Sequence, residues 1–326
     1  MLQVDSLCVC MTPLHVLIAE RIVHARGRKF ARGLYLCHDD TAKHRFYAER
    51  LSAICETTDF KAEVQPVPSG PLRHWHWVRL LRRMRLRLAQ QFAGIKVREV
   101  VTSCSADRAL MALLAVLQPS ELSTFDDGFA NIDPSPPPIF VHTRWPQRLI
   151  LQLAGIGWWP ERVHQRSARH FTIYDQANVV QRLQRLTLGA EDLAVPAAGD
   201  QAASNEEDIV VFLGPYPEVG PEILEAFERA ARQLKPIGYL PHPRDAHGLL
   251  KSVPRLESLL VAEDFVVQQL RKAGSAGVRV YGYNSSGLVN LAAIQGARAY
   301  NFVLSGTAPS PGGRMMEQMG VSLLDF

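Results

Sequence analysis

The sequence has no long apolar run, no paired cysteines and no internal repeat. None of its apolar stretches approaches the roughly 18 residues that a membrane helix needs, which argues against a multi-span membrane protein. The absence of a repeat argues against a solenoid. The cysteines are odd in number and lack a CxxC pair, so we expect buried thiols in a reducing compartment rather than a disulfide framework or a metal site. They are Cys8, Cys10, Cys37, Cys55 and Cys104.

A large excess of charge of one sign is also absent. The formal net charge is only +4, and no zinc-finger or RNP signature is present, so we expect no nucleic-acid partner. Near the N-terminus, Asp5 precedes a short apolar run, and a helical pattern with Glu20 and Arg21 follows it, which is not the pattern of a signal peptide. We therefore expect a cytoplasmic protein.

Positive charge is concentrated in residues 72–87, which hold six arginines, two histidines and two tryptophans. If this segment is helical, Leu80, Leu81, Met84 and Leu88 lie on one side, and arginines cover much of the rest. Residues 72–88 then have two interpretations. They dock on an anionic membrane surface, which would place the protein peripherally on the inner face of the inner membrane, or they form a solvated helix whose arginines pair with acidic neighbours.

The chain does contain a regular alternation of strand-like and helix-like runs. Its 326 residues suffice for two domains. The alternation predicts an α/β protein with mostly parallel sheets. Residues 195–207, VPAAGDQAASNEE, are small, polar and aperiodic, as is typical of a linker. We therefore predict two Rossmann-like lobes, 1–194 and 208–326, with the active site in the cleft between them.

Polar side chains follow three predicted strands of the second lobe, at the places where ligands bind in open parallel sheets. A carboxylate, a cationic or proton-donating pair, and hydroxyls at the start of a helix together suit a phosphate-bearing ligand. The alternative is that Asn-Ser-Ser is only an N-cap and that His-Pro-Arg is only a surface turn. The residues are Tyr216 and Glu218 after 208–214, His242, Pro243 and Arg244 after 237–240, and Asn284, Ser285 and Ser286 after 278–283.

In the first lobe, adjacent carboxylates follow the predicted strand 121–125. Asp126 and Asp127, with a glycine after them, could hold a metal, bind hydroxyls or supply a general base, or could form a plain turn. Asp39 and Asp40 are interpreted as a solvated loop. Thr12 is a candidate N-cap of the first helix.

Several stretches together resemble a known family. They are CMTPLHVLIAERI at the N-terminus, TFDDGFANI at 124–132, HFTIYDQ at 170–176, PHPR at 241–244, VAEDFV at 261–266 and NSSG at 284–287. In this set and order the sequence resembles the bacterial sialyltransferases of glycosyltransferase family 52, the lipooligosaccharide sialyltransferases. The stretches are distributed over most of the chain, from residue 10 to residue 287.

The resemblance implies a GT-B-like fold and an inverting transfer of sialic acid from CMP-sialic acid. The acceptor would be a terminal galactose-type hydroxyl of a lipid-linked cell-surface glycan such as lipooligosaccharide. No cofactor and no metal ion are implied. By the resemblance, His242 contacts the CMP phosphate as general acid, Ser285 and Ser286 bind that phosphate, and Glu263 holds the nucleoside. The implied donor-binding set is Gly214, Tyr216, Pro243, Arg244, Glu263, Ser285, Ser286 and Thr12.

Two candidates remain for the base. The family places it in a Gly-Ser-Pro-Asp context after the first strand of the donor lobe, where this chain has GPYPE at 214–218. We favour Glu218 and keep Asp126 and Asp127 as rivals, since related sialyltransferase families use the Asp-Asp-Gly motif.

Two other functions fit the same residues. One is a polysialyltransferase or another glycosyltransferase of surface polysaccharide synthesis, such as a glucosyltransferase. The other is a non-catalytic nucleotide-sugar binding protein. The oligomeric state is open, a homodimer included.

Overall fold

The structure is a computed structural model that describes residues 2–62, 72–104, 107–127, 143–174, 180, 182–186, 208–242, 245, 248–273 and 277–325. The chain divides into two compact units, Met1–Leu186 (unit 1) and Thr187–Phe326 (unit 2). The predicted linker 195–207 lies outside the described residues, so the predicted boundaries at 194 and 208 stay predictions.

The strands described in unit 1 form one parallel sheet. They are β1 (Leu2–Cys10), β2 (Phe30–Cys37), β3 (Cys55–Ala62), β4 (Ile95–Ser103), β5 (Glu121–Phe125), β6 (Ser167–Thr172) and β7 (Leu183–Arg185). Their order across the sheet is β3-β2-β1-β4-β5-β6-β7. The helices are α1 (Pro13–Arg26), α2 (Ala42–Ala53), α3 (Arg73–Gln91), α4 (Arg108–Leu117), α5 (Trp145–Leu153) and α6 (Pro160–Arg166).

Unit 2 has a second, smaller parallel sheet in its described part. Its strands are β8 (Ile209–Leu213), β9 (Gly238–Leu240), β10 (Val278–Gly282), β11 (Ala297–Val303) and β12 (Ser322–Asp325), in the order β12-β11-β10-β8-β9. The helices are α7 (Pro221–Leu234), α8 (Ala262–Ala273), α9 (Ser286–Ala292) and α10 (Pro311–Gln318). Two parallel sheets with intervening helices confirm the predicted α/β class and its Rossmann-like lobes. The predicted position of the active site in a cleft stays a prediction.

Each unit has its own apolar core, and the sequence pattern explains it. The central strands are nearly continuous apolar runs because helices cover both faces of a parallel sheet. In β1 and β4, Leu7, Val9 and Val100 are fully buried. Helix α7 instead buries one stripe at helical spacing, formed by Ile223, Ala226, Phe227, Ala230 and Ala231.

Element boundaries agree with the sequence pattern in some places and differ in others. Strand β5 has the predicted ends, 121 and 125. The runs PEILEAFERAARQL at 221–234 and ARAYNFV at 297–303 predict a helix and a strand, and they coincide with α7 and β11. The run FYAERLSAICE at 46–56 predicts a helix, but the helix spans Ala42–Ala53, because the Thr41 side chain accepts a hydrogen bond from the His44 backbone N–H and starts the helix earlier. Cys55 already belongs to β3, an unpredicted strand whose sequence, CETTDFKA, is mostly polar.

Helix α3 confirms the predicted amphipathic helix but corrects its buried side. Val78, Leu81, Met84 and Leu88 are buried, whereas Leu80 is only partly buried. Within the described residues, none of the helix's six arginines forms an ion pair, so pairing with acidic neighbours stays a prediction. In that same part of the chain, no helix is long and apolar enough to cross a membrane.

The cysteines are buried free thiols, as the sequence predicts. Burial raises the pKa of the Cys37 thiol to about 11 and also raises the pKa of Cys8 and of Cys55. These side chains therefore stay protonated and pack as small apolar groups.

Candidate active site

The three polar strand ends of unit 2 lie side by side. Strand β8 is hydrogen-bonded to β10 on one side and to β9 on the other, and all three strands are parallel. Their carboxyl ends therefore meet at one edge of the sheet, with those of β9 and β10 about 10 Å apart. His242 follows β9, Glu218 follows β8, and Ser285 follows β10. The structure thus brings together the residues that the sequence places at separate strand ends.

Gly214 lets the chain after β8 approach the chain after β9 closely. Its backbone N–H donates to the Leu240 carbonyl at 2.8 Å. A Cβ atom at Gly214 would lie 3.1 Å from the backbone nitrogen of His242 and 3.1 Å from the Leu240 oxygen. Beyond this contact, the rings of Tyr216 and His242 meet edge to face, with centroids 5.1 Å apart. Tyr216 and His242, both half-buried, therefore form one surface at the end of β8 and β9.

A buried carboxylate that the sequence analysis missed orders the turn after His242. Asp245 is 4% exposed, and its backbone N–H donates to the His242 carbonyl at 2.8 Å. Its carboxylate accepts hydrogen bonds from the Tyr239 hydroxyl at 3.1 Å and from the Gly248 N–H at 2.8 Å. Asp245 thereby ties the turn to β9 and fixes where His242 leaves the strand. Two predicted site residues in this turn, Pro243 and Arg244, lie outside the described residues.

The serines after β10 are positioned by an asparagine pair. Asn284 has φ +46°, a left-handed conformation that asparagine tolerates better than most residues. Its backbone N–H donates to Oδ1 of the buried Asn301 at 2.7 Å. Ser285 is the N-cap residue of α9, but its hydroxyl makes no capping hydrogen bond, and Ser286 is exposed. Both hydroxyls can therefore serve a ligand at this edge of the sheet.

Glu263 and Glu218 have opposite surroundings. Glu263 is 6% exposed, and its Oε1 accepts a hydrogen bond from Nδ2 of Asn290 at 2.7 Å, which joins α8 to α9. Its predicted contact with a nucleoside stays a prediction. Glu218 is exposed in a turn closed by the Val219 N–H and the Tyr216 carbonyl. Pro217 occupies the second position of that turn, as β-turns favour.

In unit 1, Asp127 is paired with a histidine. Nε2 of His15 lies 2.6 Å from Oδ1 of Asp127, and the Met11 backbone N–H donates to Nδ1 of His15 at 3.0 Å. Because Nδ1 accepts a hydrogen bond, the ring proton is on Nε2, and His15 is a neutral donor to the Asp127 carboxylate. His15 is 1% exposed and Asp127 is 16% exposed. This pair connects the chain after β5 to the first turn of α1.

Asp126, the adjacent residue, is fully buried and belongs to a series of hydrogen-bonded polar side chains. Its Oδ1 lies 2.9 Å from Nε2 of His170, and its Oδ2 accepts from the Ile173 N–H at 2.8 Å. Nδ1 of His170 lies 2.8 Å from the Thr124 hydroxyl. Both carboxylate oxygens thus hold β5 against β6. Of the two predicted aspartates, only Asp127 is open to a ligand.

The remaining predictions for unit 1 concern Thr12, Asp39 and Asp40. Thr12 occupies the N-cap position of α1, yet its side chain makes no capping hydrogen bond and is exposed. Asp39 and Asp40 are exposed and bound to neighbours on α2, with Asp39 2.8 Å from His44 and Asp40 2.5 Å from Arg45. Among the described residues, no group of three or more histidine, cysteine or acidic side chains could hold a metal ion.

Sequence signals for the missed residues are weak. His15 stands three residues after Thr12 in a helix, where it resembles any core histidine. Asp245 comes three residues after His242 and three before Gly248, a spacing suited to an Asx-type turn. Only the hydrogen bonds of the folded chain separate these residues from ordinary polar positions.

The two parallel-sheet units define a fold class, the GT-B-like fold. A glycosyltransferase of kitacinnamycin is similar in structure, with a TM-score of 0.51, 11% identity and coverage of 99% of this chain and 86% of that chain. A UDP-GlcNAc 2-epimerase from Neisseria meningitidis bound to UDP-GlcNAc has a TM-score of 0.50, 11% identity and coverage of 95% of this chain and 85% of its own.

Residues 78–298, more than half of the chain, match the model of glycosyltransferase family 52, and the chain belongs to that family. A CMP-N-acetylneuraminate:beta-galactoside alpha-2,3-sialyltransferase of Pasteurella multocida is 29% identical over 88% of this chain and 87% of that protein. An N-acetyllactosaminide alpha-2,3-sialyltransferase of Haemophilus influenzae is 23% identical over 88% of both chains. The family membership confirms the resemblance inferred from the sequence motifs.

Proposed function

We propose that this chain transfers sialic acid from CMP-sialic acid to a terminal galactose-type hydroxyl of a cell-surface glycan such as lipooligosaccharide, with inversion and without a metal ion. The supporting observation is the meeting of His242, Glu218 and the two serines at three adjacent strand ends of a family 52 chain. The name of the Pasteurella multocida relative, which specifies CMP-N-acetylneuraminate and beta-galactoside, supports the donor and the acceptor.

In the proposed reaction, the acceptor oxygen attacks the anomeric carbon as the bond from that carbon to the CMP phosphate breaks. His242 donates a proton to the departing phosphate oxygen, and the hydroxyls of Ser285 and Ser286 bind the same phosphate. Because CMP has one phosphate, no diphosphate needs a metal clamp. The ring of Tyr216 and the backbone at Gly214 contact the donor on the β8 side. Pro243 and Arg244, which belong to the PHPR stretch of the resemblance, complete the donor-binding set.

Glu218 is proposed as the base that takes the proton of the acceptor hydroxyl. It lies in the turn after β8, the strand next to β9, which His242 follows, and within the described residues no other group binds its carboxylate. Asp127 is the rival, because His15 holds its carboxylate in one orientation while leaving it partly exposed. Asp126 is not retained, since its carboxylate oxygens are used within the fold.

A donor screen tests the reaction. Purified protein is incubated with a lactose-terminated acceptor and CMP-sialic acid, UDP-glucose or UDP-GlcNAc, with and without EDTA, and the product linkage is determined by NMR. We expect sialylation from CMP-sialic acid alone, unchanged by EDTA. Transfer from a UDP-sugar, a strict need for divalent metal, or CMP binding without turnover would each refute the proposal.

Matched substitutions test the roles. We expect His242→Ala and Glu218→Gln each to lower kcat by about 10²–10⁴-fold, as removal of a general acid or base does. The control is Glu225→Gln on the exposed side of α7, which should leave kcat unchanged. If Asp127→Asn abolishes turnover and Glu218→Gln does not, the base is Asp127.

We further propose that the acceptor is lipid-linked and that the enzyme works peripherally on the inner face of the inner membrane, in the cytoplasm. The arginines of α3, which form no ion pair in the part of the chain that the structure describes, support this placement, because an anionic bilayer surface attracts them. No nucleic-acid partner is proposed.

A further inference from the structure

A cavity of about 450 Å³ lies in unit 2 between the C-terminal half of α7 and strands β10, β11 and β12. Ligand pockets in proteins typically have volumes of about 300–1,000 Å³. The cavity lies away from the strand-end site. Gln233 in its lining is about 18 Å along α7 from Pro221, the first residue of the helix, which closely follows Glu218. A small ligand in this cavity therefore does not reach the catalytic edge.

Two stacked tyrosines line the cavity on the side of the sheet. Tyr281 and Tyr300 are register partners on β10 and β11, and their ring centroids are 4.6 Å apart at an interplanar angle of 12°. Tyr281 is 3% exposed, whereas Tyr300 is half-buried. The register partner of Tyr300 on its other side is Ser322 of β12, an exposed residue too small to cover a tyrosine ring. The side of the Tyr300 ring that is turned away from Tyr281 is therefore open to a ligand.

Three polar side chains surround this aromatic surface. Arg229 and Gln233 are four residues apart and so share one side of α7, and Asp325 belongs to the edge strand β12. All three are exposed, and none of their side chains forms a hydrogen bond or an ion pair with another residue that the structure describes. A guanidinium and a carboxylate that line one cavity without pairing leave room between them for the polar groups of a ligand.

This set of side chains suits a sugar ring. Arginine and glutamine donate hydrogen bonds and aspartate accepts them, and a ring that bears several hydroxyls can both accept and donate. The C–H face of a pyranose ring packs on an aromatic ring, because its weakly positive hydrogens meet the negative face of the π-system. A lipid chain would remove the guanidinium and the carboxylate from water without replacing their hydrogen bonds, and Asp325 would repel a polyanion.

We propose that this cavity is a second glycan-binding site, which holds a neutral sugar of the acceptor glycan outside the strand-end site. One face of the sugar stacks on Tyr300, and Arg229, Gln233 and Asp325 form hydrogen bonds with its hydroxyls. The bound sugar keeps the rest of a long glycan near the enzyme and so raises the local concentration of its terminal sugar. This retention of the acceptor rests on the proposed function, whereas binding of the sugar does not.

Fluorine NMR tests binding at this site. The full-length protein is labelled with 3-fluorotyrosine and titrated with lactose and, separately, with N-acetyllactosamine, and the Tyr300 resonance is assigned by its absence from Tyr300→Phe. We expect at least one of the two sugars to shift this resonance with a Kd of about 1–10 mM, the weak affinity of a small ligand in an open site. A resonance that neither sugar moves would overturn the inference, and so would one that moves with CMP alone.

Two matched pairs of substitutions on α7 test the polar contacts. Arg229→Ala with Gln233→Ala removes both helix contacts, and it should leave the fold intact because both side chains are exposed. We expect the sugar Kd measured at Tyr300 to rise about tenfold or more. The control, Glu225→Ala with Arg232→Ala, removes two exposed charges that lie outside the cavity lining and should bind like wild type. Equal affinities of the two variants would contradict the assigned site.

Transfer to acceptors of two lengths tests the retention of the glycan. The acceptors are lactose and the longer glycan released from lipooligosaccharide. The Arg229/Gln233 variant should have a KM about tenfold higher for the long glycan at an unchanged kcat. Its KM and kcat for lactose should stay at the wild-type values, because two sugar rings are too short to span both sites. An unchanged KM for the long glycan would refute the retention.

The same measurements separate this inference from the proposed function. If wild type transfers sialic acid to neither acceptor but a sugar still shifts the Tyr300 resonance, the proposed function fails and the second sugar site stands. If wild type sialylates lactose while neither sugar moves that resonance, only the second site fails.

Discussion

Asp126 and Asp127 are adjacent in sequence but opposite in environment. Asp126 is fully buried between β5 and β6 with both oxygens bonded, while Asp127 is 16% exposed and bonded to His15. The alternation of side chains at the end of a strand sends one carboxylate inward and the next toward the strand-end loops. One aspartate therefore serves the fold, and the other is open to chemistry.

The same substitution at these two positions should have different effects. Asp126→Asn replaces a buried carboxylate, whose two oxygens are both hydrogen-bonded, by a neutral amide. We expect this substitution to lower the free energy of unfolding by about 2 kcal/mol. Asp127→Asn should lower it by less than about 1 kcal/mol, because this carboxylate is partly exposed. Urea denaturation followed by tryptophan fluorescence measures both. Equal losses would contradict the assignment of Asp126 to the fold.

At this scale the sequence predicts residue types better than their roles. The DDG motif marks Asp126 and Asp127, but only the contacts with His170 and His15 distinguish them. Those histidines lie 44 and 112 positions away in the chain. Sequence spacing contains no information on contacts of such separation unless the register of β5 with β6 and of β1 with β4 is known.

At the scale of elements, the ends of β8, β9 and β10 are well predicted because short apolar runs end at glycine, proline or asparagine. The predicted strands 208–214, 237–240 and 278–283 differ from the observed bounds by one residue at most at either end. The order β10-β8-β9 and the tie between Asp245 and Tyr239 are not predictable from such runs, since they depend on which strands pair. The edge strand β3 is mostly polar, so a search for buried apolar runs does not predict it either.

Gly214 should be the most sensitive backbone position of this edge. In Gly214→Ala the new Cβ would lie 3.1 Å from two backbone atoms, the His242 nitrogen and the Leu240 oxygen, so the ends of β8 and β9 must separate. We expect a loss of about 1–3 kcal/mol in stability and CMP binding weakened by about tenfold or more. Isothermal titration with CMP measures the second effect.

Gly282→Ala at the end of β10 is the matched control for that substitution. Its Cβ would meet side-chain atoms of Leu288 at 3.3 Å and of Leu213 at 3.4 Å, which can shift. This variant should bind CMP within about threefold of wild type. Wild-type CMP affinity in Gly214→Ala would show that the close approach of the two strand ends does not shape the donor site.

At the scale of the molecule, the two units differ in their histidines. Unit 1 buries His15 and His170 and half-buries His164, whereas His242 is half-buried in the described part of unit 2. Burial lowers the pKa of His164, with a further contribution from His170 nearby, and burial also lowers the pKa of His44. Nε2 of His164 is buried, and no group of the described residues forms a hydrogen bond with it. A proton added there finds no acceptor, so unit 1 should be the acid-labile part.

The direction of the pH effect follows from the unfolded chain. An unfolded His164 takes up a proton near its ordinary pKa of 6.5, and the folded one does so only at lower pH. The contribution of neutral His164 to the free energy of unfolding is therefore fully present above about pH 6.5 and is lost as the pH falls below that value. All five tryptophans, Trp75, Trp77, Trp145, Trp158 and Trp159, belong to unit 1, so their fluorescence follows its unfolding alone.

Thermal unfolding monitored by tryptophan fluorescence at about pH 7.5 and about pH 5.5 tests this link. The Tm of wild type should fall on acidification. The Tm of His164→Gln, which has no group to protonate at this position, should fall by about 2–4 °C less. That difference is expected from about 1 kcal/mol in a unit of this size. His76→Gln on the exposed side of α3 is the control and should keep the wild-type dependence. If His164→Gln and wild type lose the same Tm, protonation of His164 does not limit the acid stability of unit 1, and the cause lies with its carboxylates.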